Sequence, residues 1–430
     1  MKLLPPRSRL FRRCLSGLCV AALAAGAHAE TAAKLTPGDL VAICGDSITE
    51  QKLYSAYMET YLLACQAGSG VQAAQFGWGG ETAGGFQGRV NNDVLVFRPS
   101  VATLCYGMND GGYIPTDAKK LAQFKTDLEA SVEKLKAAGV RSVLVGSPGA
   151  VDSTTFKSFW GTPPDAYNQT LADFGTGARE VAGKANVNFV DLHGLMIEVM
   201  AKAKAKYGRD YVLAGKDGIH PNENGHLVMA YAFLKGLGCE GNVGELKFDL
   251  AGGTATASAG HKVLEATRGG FKVESSRYPF CFKGDPAKPD ATAGVVEFFP
   301  FNQDLNRFIL KVSNATTPRV KVTWGDASKE FDAAELAKGI NLAAEFAENN
   351  PFSKPFAQVQ EAVLRQQRYE TPMMKEMLHN LSDWRKGTPG QDATFDTLQN
   401  SMIQTDVTLR KVAAEAVKPV QLEIKVEAVP

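Results

Sequence analysis

Between Leu40 and about Gly238, short apolar runs alternate with stretches of helical spacing. Val41-Ala42-Ile43-Cys44 runs straight into Gly45, which predicts a buried strand reaching its turn. From Glu50 to Cys65 the spacing becomes helical, with Leu53, Tyr57, Tyr61 and Ala64 on one face. Val101 to Tyr106, behind Arg98-Pro99, is strand-like; Ala118 to Ala138 is helical and stops at Gly139. Ser142–Gly146 and Val187–Leu192 predict further strands, and Asn168–Ala185 and Gly225–Leu237 further helices. Strands alternating with helices predict an α/β class, a parallel sheet covered on both faces.

Beyond Gly238 the period changes. Glu245–Phe248, Thr254–Ala257, Lys262–Glu265, Phe271–Glu274, Arg307–Val312 and Arg319–Trp324 alternate polar and apolar, with glycine pairs between several of them. This predicts an antiparallel sheet or sandwich. Helical spacing returns from Ala333 to about Ala416, and Val420–Val426 is a last strand. The expected organisation is therefore a leader at 1–29, an α/β domain at 36–240, and a β-rich module at 241–330 completed by a strand at 419–427. A helical region at 331–416 is inserted before that strand.

Composition adds a destination. Lys2, Arg7, Arg9, Arg12 and Arg13 precede an apolar run from Cys14 to Gly26, followed by Ala27-His28-Ala29. That is the pattern of a secretory signal cleaved after Ala29, predicting an exported, periplasmic or extracellular protein with no membrane span after its removal. Without the leader the net charge of +1 becomes mildly acidic, which gives nucleic-acid binding no support. Of the five cysteines left, Cys44 and Cys105 sit in apolar runs and read as packing residues, while Cys239 and Cys281 are candidates for a disulfide in an oxidising compartment.

The candidate chemistry lies at the ends of the expected strands. Gly45-Asp46-Ser47 between strand and helix suits either a helix cap or an exposed nucleophilic hydroxyl. A nucleophile needs a base, an orienting group and oxyanion donors. Asp217-Gly218-Ile219-His220-Pro221 places a carboxylate three residues before an imidazole, across a loop. Gly77-Trp78-Gly79-Gly80-Glu81-Thr82 and Gly107-Met108-Asn109-Asp110 offer backbone and side-chain amides. Each segment alone also reads as an ordinary turn or loop.

In this order the four segments resemble the SGNH hydrolases, the GDSL esterase/lipase family, over roughly residues 38–238. The resemblance implies a flavodoxin-like three-layer α/β/α fold. It also implies a serine esterase in which Ser47 is nucleophile and first oxyanion donor. Gly80 would be the second donor, with Gly79 the neighbouring alternative, and Asn109 the third; His220 would be the base and Asp217 its partner. Gln75 and Gly79 depart from the family's commonest glycine block. No metal or cofactor is implied, and the partner is an acylated small molecule or polysaccharide.

Export, the absence of a long apolar lid and the added β module favour deacetylation of a polysaccharide or glycoside. A lipase or lysophospholipase is the alternative within enzymes, and an inactive carbohydrate-binding protein the alternative outside them. Trp78, Tyr106, Tyr113, Phe159 and Trp160 are candidate sugar-stacking aromatics. His193 reads as a possible supporting group and His226 as a structural or rim residue.

Overall fold

The computed structural model describes Met1 and residues 34–429; apart from Met1, the expected leader lies outside the described residues. Strands β1 (Leu40–Gly45), β2 (Gln72–Gly77), β3 (Val101–Cys105), β4 (Ser142–Gly146) and β5 (Asn188–Val190) form an all-parallel sheet in the order β2-β1-β3-β4-β5. Alternate residues feed two cores. Val41 and Ile43 enter one, Ala42 and Cys44 the other, so the strand is apolar throughout. This is the flavodoxin-like α/β arrangement, with the strand order reversing between β1 and β3.

Helices α1 (Ser47–Glu50), α2 (Tyr54–Thr60), α3 (Ala83–Asp93), α4 (Ala118–Ala137), α5 (Pro164–Ala185), α6 (Leu192–Tyr207) and α7 (Glu223–Gly236) flank the sheet. The continuous helix expected over Glu50–Cys65 is broken. Lys52 takes a left-handed conformation (φ +62°), so a single turn after Ser47 is set apart from α2, and Tyr61–Cys65 closes as a π-turn. The break re-aims the chain so that the Tyr54 N–H donates to His226 Nδ1 at 3.2 Å.

Two further sheets follow. Strands β6 (Asn242–Asp249), β7 (Thr254–Ala257), β8 (His261–Thr267), β9 (Gly270–Ser275), β10 (Arg307–Ser313), β11 (Arg319–Trp324), β12 (Ala327–Asp332), β13 (Ile340–Asn341) and β14 (Val420–Val429) divide between them. The order β12-β11-β14-β9-β8 is antiparallel, with the last strand of the chain at its centre. The order β13-β10-β6-β7 is mixed, because β6 and β10 run parallel. The purely antiparallel expectation fails there: the chain leaves β6 through β7, β8 and β9 before β10 returns beside it in the same sense. One core runs from Val41 and Ile43 through Tyr57 and Phe280 into Phe308 and Trp324. Cys239 and Cys281 are free, buried thiols and form no disulfide.

The helix Ser353–Pro372 packs on α2 and β2, then continues through a π-turn, Met373–Leu378, into His379–Gly387. Its contact with the α/β domain is polar and buried. Glu59 accepts from Gln366 Nε2 (2.9 Å) and Gln367 Nε2 (2.8 Å), and Glu370 accepts from the Gln75 backbone N–H at 2.8 Å. Arg410, beside this cluster, is committed to Asp406 at 2.9 Å. Burial pushes the Glu59 carboxyl up to about 7 and drives Glu370 upward as well.

A raised carboxyl keeps its proton in the folded state after the unfolded chain has released it, so stability falls as pH rises through that window. Between about pH 5 and about pH 8 the melting temperature is expected to drop by several degrees, and Glu59→Gln is expected to flatten that slope. Calorimetry across this range checks it; a Tm that rises with pH and ignores the substitution would contradict the sign.

Candidate active site

Ser47 stands at the first turn after β1, beside the point where the strand order reverses. In open α/β sheets this crevice, at the carboxyl ends of the strands, is where ligands bind. The turn is tight enough to require glycine: a Cβ on Gly45 would lie 2.1 Å from Thr49 Oγ1 and 2.9 Å from the Cys105 carbonyl oxygen. Asp46 is the helix cap, accepting from the Ile48 N–H at 2.9 Å, and its burial raises the carboxyl to about 7. The cap and the exposed hydroxyl therefore fall on different residues.

The loop before α7 brings the imidazole to that hydroxyl. His220 Nε2 lies 2.8 Å from Ser47 Oγ, and His220 Nδ1 lies 2.6 Å from Asp217 Oδ2. The other Asp217 oxygen accepts from the Ile219 and His220 backbone N–H groups, each at 2.9 Å. Partial burial works against ionising Asp217, but those two N–H groups and the imidazole outweigh it, holding the carboxyl below its ordinary value. A charged carboxylate on Nδ1 selects the tautomer that leaves Nε2 able to take a proton from the serine.

The glycine-rich segment and the turn after β3 converge on the same place. Gly80 has φ +74° and a Cβ there would meet open space; its N–H has no partner among the described residues, and neither has that of Ser47. The Gly79 N–H, by contrast, is taken by Glu50 Oε2. Asn109 Nδ2 donates one hydrogen to the Glu81 carbonyl at 3.0 Å, and its Oδ1 accepts from the Tyr113 hydroxyl at 2.9 Å, which fixes the amide's orientation. The second Nδ2 hydrogen remains available. Asp110 ties the two segments together, accepting from Ala83 N–H (2.9 Å) and Gly107 N–H (3.0 Å).

Several supporting residues carried no local signal. Glu81 is buried against Arg89 (2.6 Å) and Tyr106 (2.9 Å), so Tyr106 packs and hydrogen-bonds rather than facing a ligand. Trp78 is half-buried and lines a cavity with Gly79 and Gly80; Arg89 lies 5.1 Å and Lys375 5.0 Å from its ring centroid, and His379 packs on it at 4.9 Å. Lys375 in turn pairs with Glu50 at 2.9 Å, so the helical region reaches the carboxylate that holds the Gly79 amide. His226 is fully buried, with Nε2 on Gln51 Oε1 at 2.9 Å, and burial lowers its imidazole to about 3; it is a neutral structural residue. His193 faces the Gly149 carbonyl at 3.1 Å, apart from the Ser47 line.

A hydroxyl, an imidazole and a carboxylate in one hydrogen-bonded line, at the carboxyl edge of a parallel sheet, define the class of serine hydrolases. Residues 43–228 match the GDSL-like lipase/acylhydrolase family, and this match supports a serine carboxylic ester hydrolase. The acetylxylan esterase of Geobacillus stearothermophilus is 24% identical over 228 residues, which span 48% of this chain and 97% of that enzyme. BT4096, a gut microbial diltiazem-metabolizing enzyme, is similar in fold over 93% of this chain and 100% of its own, with 21% identity and a TM-score of 0.71. The structure of Axe2, the Geobacillus stearothermophilus acetylxylan esterase, has a TM-score of 0.40 and 23% identity over 48% of this chain and 97% of its own. Among the described residues, no helix is long and apolar enough to cross a membrane.

Proposed function

We propose that this protein removes acetyl groups from a polysaccharide or glycoside through an acyl-enzyme on Ser47. The observation that carries the chemistry is the line Ser47 Oγ, His220 Nε2, His220 Nδ1, Asp217 Oδ2, with gaps of 2.8 and 2.6 Å. His220 takes the serine proton as Oγ attacks the ester carbonyl, then returns it to the departing sugar oxygen. Water, deprotonated by the same imidazole, releases acetate. The N–H groups of Ser47 and Gly80 and the remaining Asn109 hydrogen form the oxyanion hole, where charge exists only near the transition state. Asp217 stays ionised and stabilises the transient imidazolium.

Similarity to an acetylxylan esterase supports an acetyl group on a sugar, and the leader sequence supports export to where such polymers lie. Acetate release from acetylated xylooligosaccharides and acetylated pectin tests the reading, alongside aryl esters from acetyl to dodecanoyl. Release from a glycan, and a preference for acetyl among the aryl esters, is expected; preference for long acyl chains with no glycan deacetylation would overturn it.

On this reading Glu50 and Lys375 are positioning residues for the oxyanion loop. Lys375→Met keeps an alkyl chain against Trp78 but frees Glu50, so kcat on an aryl acetate is expected to fall roughly tenfold, with KM and Tm little changed. An unaltered kcat would remove Lys375 from the account.

A further inference from the structure

The segment from Asp152 to Gly161 is bonded to the catalytic loop at one end and to Tyr113 nearer its tip, and its stem is firmly held. The Asp152 carboxylate is buried and accepts from Thr154 N–H (2.9 Å), Leu213 N–H (2.9 Å) and Lys204 Nζ (3.0 Å). On the side of the catalytic loop, the Asp152 N–H donates to the Gly218 carbonyl at 2.9 Å, and Thr155 Oγ1 to the Gly215 carbonyl at 2.9 Å. The approach is so close that a Cβ on Gly218 would sit 2.3 Å from Phe156 backbone atoms. On the oxyanion side, the Phe156 ring stacks on Tyr167 at 5.4 Å and Tyr113 at 6.4 Å, and Ser158 Oγ donates to the Tyr113 carbonyl at 2.6 Å. Tyr113 is the residue that orients Asn109, and it holds a left-handed φ of +60°, a strained geometry for a bulky side chain.

The tip of this segment carries two neighbouring aromatic side chains that contribute almost nothing to the core. Phe159 is 95% exposed and Trp160 74% exposed. Their backbone is nonetheless ordered, since the Trp160 N–H donates to Ser158 Oγ at 3.1 Å. A scattered exposed aromatic needs no explanation. Two in succession, on a segment anchored both to the His220 loop and to the tyrosine that orients Asn109, present an apolar surface carried by the same backbone that supports the site.

We propose that Phe159 and Trp160 are the platform for the sugar of the substrate, taking the C–H face of a pyranose ring bearing, or next to, the acetyl ester. The proposal rests on the deacetylase reading and names its specificity element. The chemistry fits: a pyranose has apolar C–H faces and a polar rim, so it gains contact area against a rigid aromatic ring while its hydroxyls stay in water. Because the stem already holds the backbone that carries the rings, the ordering that opposes binding is confined to two side chains. A small aryl acetate would fill the oxyanion hole without reaching the platform.

The test is the double variant Phe159→Ala/Trp160→Ala in the full chain, measured on an acetylated xylooligosaccharide and on an aryl acetate. KM for the oligosaccharide is expected to rise about tenfold or more at unchanged kcat, with aryl acetate kinetics within about twofold of the parent. Equal oligosaccharide KM values in variant and parent would overturn the platform while leaving the deacetylase reading in place. A loss on both substrates would overturn it too, since the segment would then act through the catalytic residues; Trp160→Phe, which keeps a ring, should restore most of the affinity. If the parent protein deacetylates no glycan, the wider reading fails and the platform falls with it.

Discussion

Ser47→Ala is expected to reduce kcat on an aryl acetate by about 10⁶-fold, to the level of the uncatalysed reaction plus a small residue from the oxyanion hole. Among the described residues, Ser47 Oγ is the hydroxyl bonded to His220 Nε2. Ser47 is half-buried and is not the helix cap, which is Asp46. The alanine variant should therefore melt within a degree or two of the parent, separating lost chemistry from lost fold. His220→Ala should match it in size, and Asp217→Ala should cost less, roughly 10⁴-fold, because the imidazole remains but loses its orienting charge. An alanine variant at Ser47 that retained even a hundredth of the activity would place the nucleophile elsewhere.

The second large effect belongs to Asn109. Replacing it with alanine removes the only side-chain donor of the proposed oxyanion hole and is expected to lower kcat by roughly 10²–10³-fold with KM nearly constant. The split matters, because a donor that acts on the developing oxyanion contributes little to ground-state binding. Tyr113→Phe should follow in the same direction with a smaller loss, since its hydroxyl orients the amide through a 2.9 Å bond but does not touch the ester. If Asn109→Ala raised KM and left kcat alone, Asn109 would be a substrate-binding residue instead. Steady-state kinetics on one aryl acetate decide between them.

Much of the α/β domain was legible because its signals are local. Val41–Cys44 is apolar throughout because both faces of β1 are covered, and α4 is bounded by the Asp117 cap and Gly139. The proposed site residues were legible for a similar reason: Ser47, Gly80, Asn109 and His220 each sit in a short turn with a distinctive residue pattern at a strand end or beside a helix start. Elements whose stability comes from elsewhere gave no such signal. Helix α3 holds three glycines within Ala83–Asp93, which argue against a helix, yet Thr82 caps it and buried Arg89 anchors it through Glu81. Helix α2 is buried on every side, so no polar face marks its ends.

The least legible part was the dependence of the oxyanion loop on the far end of the chain. Glu50 and Lys375 are 325 positions apart and form one ion pair, and Gln75 bonds Glu370 across 295. Neither pairing has a spacing rule, because each depends on how the helix Ser353–Pro372 docks against β2. The helical region is therefore joined to the site by hydrogen bonds at the strand that leads to Gly80, which is why a substitution at Lys375 is expected to register in kcat.

The central claim is that Ser47 is an activated nucleophile, and covalent labelling tests it most directly. Incubation of the full chain with a fluorophosphonate, followed by peptide mass mapping, should place one phosphonyl adduct on Ser47, with labelling abolished in His220→Ala. An unlabelled protein that still hydrolyses an aryl acetate, or an adduct on any other residue, would contradict it.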